Sequence, residues 1–210
     1  MRHIGHDFLH AILHVDQSIF ALLKSLALRP GRVAREYVEG RRKKYFGPFG
    51  FLIITVGLAS FMTVATGVQW FAPATESGAA DLLQRHINLV ILLQMPWLAA
   101  ACALLFRNPR LHYAEHLVLA AYTSGFRILF LALVATPAIY FGWIRPASMA
   151  FFPLYAGLWT AYFAFAAVQF YRGGAFWVAV RAAVAAVLGQ AVTMALLTGF
   201  VVVFARMTGH

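Results

Sequence analysis

From about Gly50 to the C-terminus, the chain is a series of five apolar stretches separated by short polar breaks. They run about Gly50 to Phe71, Ile87 to Phe106, Tyr113 to Phe141, Met149 to Tyr171 and Phe176 to Ala205. A hydrocarbon core of about 30 Å takes about twenty residues at about 1.5 Å of rise each, so every stretch predicts a transmembrane helix. The N-terminal pattern is different. Phe8, Ile12, Val15, Ile19, Leu22, Leu23 and Leu26 recur at threes and fours, the signature of a helix with one apolar face. His3, His6, Asp7, His10, His14, Asp16 and Lys24 make that helix too polar to span, so it is expected to lie in the membrane interface. Pro30-Gly31 should end it, and a second short helix from Val33 to Lys44 should lead into the bilayer. The expected fold is therefore an all-α polytopic membrane protein. Residues 1–28 form the interfacial amphipathic helix, 29–49 a basic pre-membrane segment, and 50–210 the helical transmembrane domain.

Composition strengthens this picture. The 210 residues are 62% hydrophobic and 11% charged, more apolar surface than a soluble domain of this length can bury. A net charge of +10 would suggest nucleic acid in a soluble protein. Here it points to membrane lipids with anionic head groups and not to nucleic acid. A homo-oligomer is left open. The single cysteine, Cys102, excludes an intrachain disulfide and a cysteine-based zinc ribbon. The N-terminus carries no short apolar core followed by a small-residue cleavage site, so the first span is expected to act as its own insertion signal.

The cations also set an orientation. Seven of the 17 Lys and Arg residues lie between Arg29 and Lys44, four of them consecutive from Arg41. With the N-terminus inside, the cytoplasmic face receives twelve cations, among them Arg107, Arg110 and Arg172, and the opposite face three, Arg85, Arg145 and Arg206. A cytoplasmic N-terminus and an external C-terminus follow. Arg41, Arg42, Lys43 and Lys44 are the expected lipid head-group contacts.

The stretch PGRVAREYVEGRRKKYFGPFGFL resembles the signature of an uncharacterised family of bacterial integral membrane proteins, domain of unknown function 3667. Pro30, Gly31, Glu36, Tyr37, Gly40, Arg42, Tyr45 and Pro48 carry the match. A second block looks like a later segment of that family, matched by Glu115, His116, Leu117 and Val118. The resemblance implies a bacterial inner-membrane location and brings no established activity. Many members carry an N-terminal Cys-rich zinc ribbon, which this sequence lacks.

Three constellations could carry chemistry. His3, His6, His10 and His14, spaced by three, four and four, fall along one helix stripe, where neighbours could share a metal or simply face phosphate head groups. His112-x-x-Glu115-His116 fits an inverted zinc-protease pattern in which two histidines bind metal and the glutamate activates water. His10, His14 or Asp16 could add a ligand from the same membrane face. The alternative is that Glu115 and His116 cap and orient their span, with Glu115 pairing Arg42 or Arg181. Third, Arg127 lies near mid-depth of its span, where a cation needs a partner. With no carboxylate at that depth, Gln94, Gln190, a tyrosine hydroxyl, backbone carbonyls or an anionic ligand must serve. Three functions stay open: a protein with a solute- or lipid-accessible cavity at Arg127, Gln94 and Gln190 (transport or channel-like), a membrane metallohydrolase using Glu115 with a divalent metal such as zinc, and a scaffold or assembly factor.

Overall fold

The computed structural model describes residues 19–68, 87–106, 111–144 and 151–208. All regular structure among them is helical. The short helices α1 (Ile19–Leu28) and α2 (Pro30–Val38) precede a 3₁₀ turn at Arg42–Lys44. The long helices are α3 (Pro48–Thr66), α4 (Ile87–Leu105), α5 (Tyr113–Tyr140), α6 (Phe151–Phe170) and α7 (Ala175–Thr208). Among the described residues three segments are long and apolar enough to cross a membrane, by length and composition: Arg42–Thr66, Tyr113–Tyr140 and Ala175–Phe200.

The N-terminal helices depart from the expectation. Pro30 does not leave the chain in a turn. It starts α2 at the first helical position, where its missing N–H would have had no intrahelical partner. That helix stops at Val38 rather than continuing to Lys44, because Gly40 takes a positive φ of 98° that turns the chain back. The described part of α1 packs inward, with Leu22 and Leu26 buried in the same cluster as Val33 and Ala34 of α2. The histidine stripe from His3 to His14 lies outside the described residues.

Helix α5 is the centre of the bundle, packed by α2, α3, α4 and α6, while α7 lies across α4 and α6. Every residue from Leu119 to Gly125 is buried, so α5 is enclosed on all sides there. Close approach depends on small residues. A Cβ on Gly125 would come within 2.7 Å of the Phe51 ring of α3, and one on Gly189 of α7 within 3.2 Å of the Leu98 backbone of α4. A Cβ on Gly31 would collide with the Ala166 carbonyl oxygen, which brings α2 onto α6.

Pro137 sits near the end of α5, and the turn before it, Leu131–Ala135, is a π-helix. A proline removes one backbone donor and crowds the preceding turn, so the ladder widens by one residue. Thr136 compensates, its N–H and its hydroxyl (2.9 Å) both donating to the Leu131 carbonyl. Outward-facing positions on the long helices are apolar, including Ile53, Phe61, Leu133, Leu154, Leu158 and Val187. A surface of this kind has hydrocarbon as its matching solvent.

Candidate functional site

Two polar constructions stand out in this apolar frame. The first occupies the N-terminal end and gathers the signature residues around one carboxylate. Glu36, on α2, accepts hydrogen bonds from Lys44 Nζ at 2.8 Å and from the Tyr45 hydroxyl at 3.1 Å, and Arg41 lies 3.8 Å away. Its backbone carbonyl accepts the Arg41 N–H at 2.9 Å. The ammonium of Lys44 is the main cause holding the Glu36 carboxyl below its ordinary range, against the opposing effect of burial. Arg42 lies over the Tyr37 ring, 5.9 Å from its centre, and Tyr37 meets Tyr122 of α5 edge to face. Tyr122 donates to the Phe46 carbonyl at 2.7 Å, and Pro48 opens α3. All four cations from Arg41 to Lys44 are exposed, but Glu36 offsets one of their charges.

The His112-x-x-Glu115-His116 pattern forms the start of α5. His112 is the N-cap of α5, exposed and in extended conformation, so it is not one turn below His116 on a helix face. Glu115 Oε2 accepts the His112 backbone N–H at 2.9 Å, which is half of a capping box. His116 is buried, with Nδ1 2.6 Å from the hydroxyl of Tyr171, and Tyr171 stacks on Phe106 at 3.8 Å. Neither Arg42 nor Arg181 pairs with Glu115: Arg42 is held over Tyr37, and Arg181 is exposed on α7. Among the described residues no three His, Cys, Asp or Glu side chains gather as metal ligands. His10 and His14 lie outside them.

The second construction is built on Arg127, midway along α5 and 7% exposed. Its Nη1 donates to Gln94 Oε1 of α4 at 2.7 Å, and its Nε donates to the Tyr155 hydroxyl of α6 at 2.7 Å. The guanidinium also lies over two rings, 4.8 Å from the centre of Tyr155 and 5.0 Å from that of Trp159. Gln190 is not a partner, because α7 packs on α4 and α6 and does not reach α5. Among the described residues no carboxylate pairs with Arg127, and two of its five N–H groups are used in these bonds. Two further buried donors have no hydrogen-bond partner among the described residues: Gln94 Nε2 and Trp159 Nε1. Both belong to side chains that touch the guanidinium.

The three contacting helices thus enclose a local excess of donors. A cavity of about 200 Å³ opens beside it, lined by Arg127, Phe126, Phe130, Tyr155, Leu158, Trp159 and Tyr162. Sequence reasoning named Arg127 and Gln94 but not Tyr155 and Trp159. The available signal was their i, i+4 spacing, which puts a hydroxyl and an indole on one face of an otherwise apolar span.

Residues 16–59 match a family model described as a protein of unknown function (DUF3667). The match takes in the whole of the first signature block, while Glu115 to Val118 fall outside it. No curated protein and no solved structure matches the chain.

The Glu36 knot makes a pH-dependent contribution to stability. A carboxylate with a depressed pKa stabilises the fold fully above its ordinary value of 4.5, and that contribution is lost as pH falls through the lower folded value. Thermal unfolding in detergent should show Glu36→Gln less stable than the parent by up to about 1 kcal/mol at pH 7, a ceiling set by solvent screening. The difference should shrink below pH 4.5. A constant gap from pH 7 to pH 3 would contradict the ion-pair account.

Proposed function

We propose that this is an inner-membrane protein of five spans whose working part is an intramembrane cavity that binds an acceptor-bearing, anionic group on Arg127. The observation that carries the proposal is the donor excess among the described residues: a desolvated guanidinium without a carboxylate, flanked by Gln94 Nε2 and Trp159 Nε1 without acceptors. Isolated charges and unpaired donors are costly in a low-dielectric interior. An arrangement that concentrates them beside a cavity favours whatever brings negative charge and lone pairs. Such a site suits a binding or transport protein for an anionic solute or lipid. The exposed cations Arg42 and Lys43, with Arg41 and Lys44 around Glu36, serve as head-group contacts at the cytoplasmic edge.

The five-span reading is supported by α4 and α6, of 19 and 20 residues, which reach about 30 Å at about 1.5 Å per residue. In a Cys102→Ala background, Trp143→Cys should react with an impermeant thiol reagent from outside, and Arg172→Cys only from inside. The opposite pattern would overturn the orientation.

Anion binding predicts a second result. A ligand that binds only the folded state at a hundred times its Kd stabilises by about 2.7 kcal/mol. In detergent, at least one of acetate, inorganic phosphate, palmitate and lysophosphatidate should raise the unfolding temperature of the parent protein, and Arg127→Met should abolish the rise. If none of the four shifts the parent, Arg127 is a structural cation and the proposal fails.

A further inference from the structure

The anion site does not stand alone. A second cavity of about 280 Å³ adjoins it, sharing Phe130, Tyr155 and Leu158, and extends along α5 and α6 to Ile144 and Phe151. Apart from the Tyr155 hydroxyl, its lining side chains carry no polar group. The walls open sideways from the bundle, with Leu154 and Leu158 at 75% and 57% exposure. In a spanning protein that direction is the bilayer. Aromatic and aliphatic side chains surround the one guanidinium at the Arg127 end, and the remainder is a groove for hydrocarbon.

We propose that the ligand at Arg127 is a single-chain carboxylic acid of the fatty-acid class, head group on the donors of Arg127 and Trp159, which line the cavity, and tail in the groove between α5 and α6. This rests on the anion-binding reading and narrows it. Three features select the class. The donors match a planar carboxylate, which accepts several hydrogen bonds and pairs edge-on with a guanidinium. The site lies about 20 Å along α5 from Tyr113, so the head group must reach it through hydrocarbon. A carboxylic acid can cross that medium in its neutral protonated form, whereas a phosphate remains charged and strongly disfavoured there. The groove has one apolar channel beside one polar end, which fits one chain and not the two of a phospholipid.

The test uses tritiated palmitate and the purified full chain in detergent micelles. Saturable binding of about one palmitate per chain is expected. Excess acetate, inorganic phosphate or hexadecanol should not displace it. Arg127→Gln should weaken binding at least tenfold. Leu158→Trp, which fills the groove at a lipid-facing position and leaves Arg127 and Trp159 unchanged, should do the same and keeps the test usable if the arginine variant does not fold. Displacement by acetate or phosphate would overturn the chain assignment while leaving anion binding intact. Equal binding of hexadecanol would show an apolar groove with no role for the donors and overturn the assignment of the head group. Tighter binding of lysophosphatidate than of palmitate would overturn the carboxylate. Absence of binding by palmitate and by every competitor would overturn both this inference and the anion reading beneath it.

Discussion

A cation removed from water in the middle of a helical bundle is the constraint around which this structure is arranged. Arg127 has no carboxylate among the described residues, so its charge is distributed over Gln94 Oε1, the Tyr155 hydroxyl and two aromatic faces. Those groups come from α4 and α6, on either side of α5. The three helices are thereby held at one level by a polar contact, where packing alone would permit sliding. Cation–π and charge-assisted hydrogen bonds each contribute on the order of 1–3 kcal/mol when desolvated, and the cost of burying the charge opposes them. The bundle keeps a site that apolar residues could replace with little loss of stability, which argues for a role beyond packing.

The other polar construction secures the entry to the bundle. Glu36 joins Lys44, Arg41 and Tyr45, while Gly31 lets α2 lie against the Ala166 backbone and Tyr162 donates to the Leu26 carbonyl at 3.0 Å. These residues give the signature block a physical meaning. Pro30 and Pro48 start helices, Gly31 and Gly40 permit a close approach and a reversal, and the charged and aromatic members tie the reversal together. At the same end of α5, Glu115 closes the helix start and His116 meets Tyr171. The signature block and the Glu115–His116 pair therefore build helix entries and junctions, whereas the Arg127 cavity lies further along α5.

The large features were legible in the sequence because they follow from composition and period. Five apolar runs became five long helices with ends within a few residues of expectation. Arg127 was recognisable as a cation needing a partner, and Gln94 as one candidate. What sequence could not supply was the third dimension. Gln190 and Gln94 are equally polar, and only the packing order of α7 behind α4 and α6 separates them. The spacing of His112 and His116 suggested one helix face, but the chain enters the helix at His112 itself, which is an extended N-cap residue outside the helix. The end of α2 at Val38 depended on Gly40 adopting a left-handed φ, which helix periodicity does not report.

The central claim is that the Arg127 cavity is completed by a bound anionic group. Native mass spectrometry of the chain released from mild detergent reads this most directly, without any added ligand. The account predicts a single adduct of fatty-acid mass on the parent protein, about one per chain, and its loss in Arg127→Met. A parent protein that flies without an adduct, or one whose adduct persists unchanged in Arg127→Met, would contradict it.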